Sequence, residues 1–185
     1  SYQLKYDMEH NTSRNLRIKG GGALHFFTTI PGSIDNYGVF THVVPYRLNR
    51  RKMLDFALYG EVEYRFASRF QLNGGIRLSA LRTPSGPDYG ASTFIVPEPR
   101  AELSYEVNRN HRLNISFNQA SQNLHMLSNS SVGIPSDMWV PANEKLKPEI
   151  MRQFTAGYEW NQSDRNYTFS LEAFYRKTDH IIDFK

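Results

Sequence analysis

Carboxylate and guanidinium side chains alternate along this chain, and they are the residues best suited to chemistry. Glu61 and Glu63 are two positions apart, and Glu102 and Glu106 are four apart. Paired carboxylates can act as general acid and base or bind calcium. Arginines alternate with them on the same predicted face, so we interpret the set as the lining of a charged, water-filled lumen. The set comprises Glu61, Glu63, Arg65, Arg77, Arg100, Glu102 and Glu106.

Other catalytic and cofactor motifs are missing from the sequence. None of the six histidines stands four positions from another with an acidic partner, as a zinc protease requires. The glycines at 20–22 lack the Lys-Ser or Lys-Thr of a phosphate-binding loop, and we interpret them as strand glycines that allow close approach. There is no cysteine and no Gly-x-Ser-x-Gly motif. We therefore predict that the protein is not an enzyme and needs no metal or cofactor.

The charge pattern also argues against a nucleic-acid partner. The chain has 22 basic and 18 acidic residues, and they are spread along its length. Its one basic group, Arg47, Arg50, Arg51 and Lys52, is interpreted as a solvated loop. Aromatic residues make up 14% of the chain and hydrophobic residues 39%, a bias that suits β-strands.

Strands are the elements that must position the charged residues. Between Leu54 and Phe66 apolar residues fill every second position, and charged residues fill many of those between. This period of two predicts a strand with one apolar and one polar face. The same alternation predicts seven further strands, around residues 2–8, 16–26, 70–78, 101–107, 113–117, 154–160 and 167–175.

The connections between these strands alternate in length. Short polar turns are predicted at 9–14, 67–69, 108–110 and 161–166, and long excursions at about 28–52, 83–97 and 120–149. This rhythm is typical of an outer-membrane barrel, which has short periplasmic turns and long outer loops. Aromatic residues flank the turns, Phe66 and Phe70 at one and Trp160 and Tyr167 at another, as in an interfacial girdle. The sequence therefore predicts an all-β, antiparallel up-and-down meander of about eight strands within a large transmembrane β-barrel.

Several short motifs resemble the barrel of TonB-dependent outer-membrane receptors. In chain order they are Leu72-Asn73-Gly74-Gly75-Ile76-Arg77, Pro99-Arg100-Ala101, the segment from Leu113 to Ala120, and Leu146-Lys147-Pro148-Glu149 followed by Gly157-Tyr158. Together they cover about two thirds of the chain. The resemblance implies energy-dependent uptake of a scarce nutrient such as a siderophore, cobalamin, glycan or peptide.

The resemblance also implies partners and a location. They are outer-membrane lipid, and TonB with its inner-membrane motor, which acts through a plug domain. No plug domain, TonB box or C-terminal aromatic signal occurs in these residues. We therefore expect residues 1–185 to be a partial barrel domain, around a third of a wall that has about 22 strands in full.

Any ligand contact is expected in the long loops, because aromatic and polarizable side chains supply contact area at low entropy cost. The last loop, from Leu124 to Asn129 and from Pro135 to Pro141, resembles that of receptors which often pair with a surface lipoprotein. The candidates are Trp139, Met138 and His125 in the last loop and Tyr37, Phe40 and Tyr46 in the first. The alternative for these candidates is a loop that folds on its own small hydrophobic cluster.

Three other classes of protein remain open from the residues alone. A complete eight-stranded barrel with a structural or adhesive role is the first alternative. An outer-membrane enzyme acting on lipid is the second, although no Ser/His/acid cluster is apparent. A soluble β-sandwich binding module is the third, and the long strands count against it.

Overall fold

The computed structural model describes residues 1–29, 33–34, 46–47, 51–86, 90–129, 136–162 and 167–182. The strands are β1 (Tyr2–Ser13), β2 (Leu16–Thr29), β3 (Ser33–Ile34), β4 (Tyr46–Arg47), β5 (Arg51–Phe66), β6 (Phe70–Thr83), β7 (Ser92–Glu106), β8 (His111–Gln122), β9 (Leu124–Asn129), β10 (Ser136–Pro141), β11 (Glu149–Gln162) and β12 (Tyr167–Asp179). Among these residues no helix is long and apolar enough to cross a membrane.

One sheet contains the eight long strands, in the order β1-β2-β5-β6-β7-β8-β11-β12. All neighbours are antiparallel, so the predicted up-and-down meander is confirmed. The short strands form two hairpins within the long loops, β3 with β4 and β9 with β10. Strands β1 and β12 lie at opposite edges and do not pair with each other, so these strands form an open sheet and not a closed eight-stranded barrel.

The register aligns most of the apolar residues of the eight strands on one side of the sheet. Leu24 lies opposite both Leu4 and Phe56, and Ala80 lies opposite both Phe56 and Ile95. We call this side the apolar face and the other side the polar face. Because side chains alternate along a strand, a slip of one residue would move every apolar side chain of that strand to the polar face.

Within the part of the chain that the structure describes, no second layer packs against the apolar face. Leu4 is 72% exposed, Ile95 69% and Ile115 58%, although each lies within a paired strand. A sandwich would bury such side chains between two sheets. The single sheet therefore excludes the soluble sandwich for the described residues and leaves a broad apolar surface.

The two ends of the sheet differ in how the strands are connected. At one end, the turn end, residues 14–15, 67–69 and 107–110 connect the strands. The Asn108 side chain orders the third turn by accepting hydrogen bonds from the backbone N–H groups of Asn110 and His111, at 2.9 and 3.0 Å. At the other end, the loop end, the connections are long, as predicted.

Aromatic rings form two groups of stacked side chains at the turn end of the apolar face. The ring centroids of Phe66 and Phe70 are 5.2 Å apart, and those of Phe70 and Tyr105 are 4.5 Å apart. His111 stacks on Trp160, with the ring centroids 6.3 Å apart. These stacks contain three of the four ring residues predicted beside turns, namely Phe66, Phe70 and Trp160. The fourth, Tyr167, begins β12 at the same end.

The start of β7 differs from the sequence prediction. The long excursion was expected at 83–97, but β7 begins at Ser92 and pairs with β6 through Pro97 and Pro99. Proline lacks the N–H that a ladder needs, so it normally indicates a strand start or an edge. Here the ladder between β7 and β8 ends at Arg100 and Asn118, and both prolines lie beyond that point. The lack of an N–H donor on these two prolines therefore costs little stability in the pairing of β7 with β8.

Candidate functional site on the polar face and in its loops

Ion pairs cross the middle of the polar face from strand to strand. Arg17 on β2 lies 3.4 Å from Glu63 on β5, and Arg100 on β7 pairs with Glu61 on β5. These residues line a cleft of about 500 Å³, which we call the central cleft. Each carboxylate faces a guanidinium at partly exposed positions, and such pairs contribute little stability.

The remaining charged candidates also lie on the polar face. Arg65 is 4.0 Å from Glu63, Arg77 is 3.6 Å from Glu98, and Glu106 is 3.3 Å from Arg112. Glu102 accepts a hydrogen bond from Ser104 at 3.2 Å. No group of three or more acidic or histidine residues among the described positions is arranged to hold a metal ion. The face is therefore suited to water and polar partners.

A second cleft lies on the polar face near the loop end and has a volume of about 400 Å³. We call it the loop-end cleft. Asp55, Arg77 and Glu98 supply its charges, and Phe27, Met53, Leu81 and Leu124 supply apolar walls. Glu98 is held in place because it accepts hydrogen bonds from both the backbone N–H, at 3.1 Å, and the hydroxyl of Ser121.

Two buried oxygens in this cleft have no hydrogen-bond partner among the described residues. They are Oδ1 of Asp55 and Oδ1 of Asn123. A buried acceptor without a donor costs about 1–3 kcal/mol. The loop-end cleft therefore offers acceptors that a bound molecule or another part of the protein would satisfy.

The last long loop spans residues 123–148, and its segment around Ala142 packs over this end of the polar face. Ala142 lies in a small core with Met53 and Leu81, and Thr83 donates a hydrogen bond from its hydroxyl to the Ala142 carbonyl at 3.0 Å. Glu144 accepts a hydrogen bond from the backbone N–H of Gly90 at 3.1 Å, which joins the last two long loops. The cluster that holds this part of the loop is formed with the strand residues Met53 and Leu81, and not by the loop alone.

We expect the replacement of Thr83 by valine to loosen the last long loop by about 1–2 kcal/mol, because the buried Ala142 carbonyl loses its donor while the shape is kept. Hydrogen exchange of the amides from Ala142 to Leu146 measures this loosening. Thr93→Val is the matched control, since Thr93 is an exposed strand residue. Equal protection in both variants would show that this hydrogen bond does not anchor the loop.

The loop residues predicted to contact ligand are placed differently from one another. His125 is 2% exposed, and its Nδ1 is 3.6 Å from Glu149. Trp139 lies opposite Met126 in the β9–β10 hairpin and is 44% exposed, so its ring is accessible. Tyr37 and Phe40 lie outside the described residues, as do the side chains of Tyr46 and Met138.

The sequence analysis overlooked the residues of the loop-end cleft. Asp55 lies within the strand predicted between Leu54 and Phe66 but was not singled out, and Ser121 lies within the excursion predicted at 120–149. Glu98 lies between the excursion predicted at 83–97 and the strand predicted at 101–107. The hairpin of β9 and β10 was also read as an irregular loop. Neither six-residue strand alternates strictly between apolar and polar residues, so a period of two does not reveal them in the sequence.

Comparison with known proteins identifies one family. The family model described as "TonB dependent receptor-like, beta-barrel" matches residues 1–185. A search of curated protein sequences finds no match.

Solved structures with the same fold include three transporters. The FrpB iron transporter from Neisseria meningitidis (F3-3 variant) superposes with a TM-score of 0.64 at 15% identity, over 93% of this chain and 27% of FrpB. The ferric-catecholate import receptor Fiu from E. coli K12 superposes with a TM-score of 0.57 at 16% identity, over 93% of this chain and 30% of Fiu. The copper transporter OprC superposes with a TM-score of 0.55 at 16% identity, over 87% of this chain and 28% of OprC. The chain thus spans less than a third of the length of these structures.

Proposed function

This chain belongs to the β-barrel family of TonB-dependent receptors, and on that premise we propose that its protein takes up a scarce nutrient across the outer membrane. Residues 1–185 would form around a third of the barrel wall. The protein would bind its nutrient on the outer side and depend on TonB for energy. The family consists of receptors, in agreement with the expectation that the protein is not an enzyme.

One observation supports the proposal most strongly. Between the two ends of the sheet, the apolar face carries no Asp, Glu, Lys or Arg, whereas the polar face carries the ion pairs of the central cleft. A wall between lipid and water requires this division, because a charge at the bilayer midplane is costly whereas a lumen tolerates it. In this arrangement the polar face lines the lumen, and the charged residues predicted to line it face the plug domain or water.

The loop-end cleft is the place where we propose that the nutrient is first held. It combines apolar walls with the carboxylates of Asp55 and Glu98 and the guanidinium of Arg77. Convergent polar groups beside apolar walls are typical of ligand sites. Trp139, on the accessible hairpin of the same loop, is the aromatic residue best placed to contribute from outside. Siderophore, cobalamin, glycan and peptide all remain candidate ligands.

The related folds suggest which ligands to test first. FrpB is an iron transporter, OprC a copper transporter and Fiu a ferric-catecholate receptor. Iron and copper complexes therefore come first, followed by cobalamin, oligosaccharides and peptides. A surface lipoprotein that pairs with the last long loop remains a prediction.

Uptake by the full-length receptor in Gram-negative cells tests the proposal. Cells that make the receptor are expected to accumulate one of the labelled ligands, and cells that lack TonB are expected to bind it without accumulating it. Cells without the receptor gene provide the baseline. Equal accumulation with and without TonB would contradict the proposal and indicate a passive pore.

A further inference from the structure

Charged residues on the apolar face are confined to one end of the sheet. Four cations and one carboxylate lie on this face, all near the loop end, and they are Lys52, Arg82, Arg152, Lys177 and Asp179. The turn end of the same face carries stacked rings and neutral side chains instead. The loop end and the turn end of the apolar face are therefore chemically different.

Two of the cations are held side by side. Arg152 on β11 and Lys177 on β12 are directly opposite in the register, and Asp179 contacts both, at 2.6 Å from Arg152 and 3.4 Å from Lys177. Nε of Arg152 also donates to the Gln119 side chain at 2.9 Å. Guanidinium has five donor hydrogens and ammonium three, so these contacts leave donors on both side chains.

An apolar groove lies on the same face toward the middle of the sheet. It has a volume of about 630 Å³ and runs across β7, β8, β11 and β12. Small side chains create it between larger ones, and the residues involved are Ala101, Ala156, Ala173, Phe117, Phe154 and Tyr175. Arg152 and Lys177 are two residues from Phe154 and Tyr175, which is about 7 Å along a strand.

We propose that Arg152, Lys177 and this groove form a binding site for one phosphate-bearing, acylated lipid of the outer leaflet. The two cations bind the phosphate, and an acyl chain lies along the alanines of the groove. Asp179 and Gln119 hold the Arg152 guanidinium in place, and such preorganisation lowers the entropic cost of binding. The loops of an outer-membrane barrel face outward, so the cations lie at the level of the outer-leaflet headgroups.

Charge and shape together favour a lipid over a soluble anion. Cations alone at this level would be ordinary interfacial residues whose long side chains reach toward water. The groove beneath this pair provides a place for the tail of the same molecule. The inference rests on the membrane placement proposed above, and it does not depend on which nutrient is carried.

The test uses the full-length receptor, stripped of lipid and reconstituted into phosphatidylcholine vesicles with or without phosphorylated lipid A. Native mass spectrometry then measures how much lipid A each variant retains. Arg152→Gln with Lys177→Gln is expected to lower retention roughly tenfold, the effect of losing a charge-assisted hydrogen bond. Ala156→Phe, which fills the groove without touching the cations, is expected to lower it as well. Dephosphorylated lipid A is expected to bind the unmodified receptor about as weakly as phosphorylated lipid A binds the double variant.

Arg82→Gln is the matched control, because it removes a cation from the same level of the apolar face at a distance from the groove. Retention is expected to be unchanged in this variant. An equal loss in Arg82→Gln, full retention in Ala156→Phe, or displacement of lipid A by inorganic phosphate would each overturn the proposal. If Ala156→Phe does not fold, Ala156→Leu replaces it. A receptor that does not insert into vesicles at all would instead contradict the membrane placement.

Discussion

Arginine in place of Ile76 is expected to destabilise the folded receptor in a membrane by about 2–4 kcal/mol, the cost of a cation near the midplane of a lipid-facing strand. Ile76 lies near the middle of β6 on the apolar face, opposite Gly60 and Pro99, and is 49% exposed. In a soluble protein a half-exposed isoleucine could be replaced by arginine with a change of about 0.5 kcal/mol. The size of the effect therefore reports on lipid contact and not on packing within the chain.

Equilibrium urea unfolding of the full-length receptor in lipid vesicles measures this change. Asn73→Arg is the control, since Asn73 lies on the same strand but lines the central cleft on the polar face. It is expected to change the free energy of unfolding by about 0.5 kcal/mol or less. If Ile76→Arg and Asn73→Arg were equally stable, the apolar face would not be in contact with lipid.

Alanine in place of Gly75 is expected to destabilise the sheet by about 1–3 kcal/mol, the usual cost of overpacking. A Cβ at this position would lie 2.7 Å from the backbone oxygen of Gly60 and 2.9 Å from Cγ of Glu61. The side chain of Glu61 can rotate away, but the carbonyl of Gly60 belongs to the paired strand. The strands β5 and β6 must therefore shift to make room.

The neighbouring glycine provides an adjacent control. A Cβ at Gly74 would meet no atom within 4 Å, and this position lies on the apolar face. Gly74→Ala is expected to raise stability by about 0.5–1 kcal/mol, because alanine loses less conformational entropy in a strand. The same urea titration compares the two variants. A Gly75→Ala protein as stable as Gly74→Ala would show that the approach of β5 and β6 at this point relaxes freely.

Local sequence pattern was sufficient for the strands and their faces. The alternation from Leu54 to Phe66 extends along β5, and the register places its apolar residues with those of β2 and β6. The charged residues predicted to line a lumen, from Glu61 to Glu106, all lie on the polar face for the same reason. A strand has a period of two, so the face of each side chain depends only on its position within the strand.

Contacts between distant parts of the chain were decided by the tertiary structure alone. Thr83 and Ala142 are 59 positions apart, and no periodicity indicates that they form a hydrogen bond. The burial of His125 and the loop-end cleft follow from that docking of the last long loop. The start of β7 at Ser92 likewise depended on its pairing with β6, which extends to Thr83 opposite Ser92.

The sequence by itself determined the meander, the division into an apolar and a polar face, and the resemblance to the receptor family. These features depend on alternation and on short motifs, which are local properties of the chain. Only the tertiary structure decided which loop packs on the polar face and which cations meet on neighbouring strands. Arg152 and Lys177 become neighbours through the register of β11 and β12, and the groove beneath them requires four strands together. The physical reason is that a register is fixed by pairing between strands, whereas the face of a side chain is fixed within one strand.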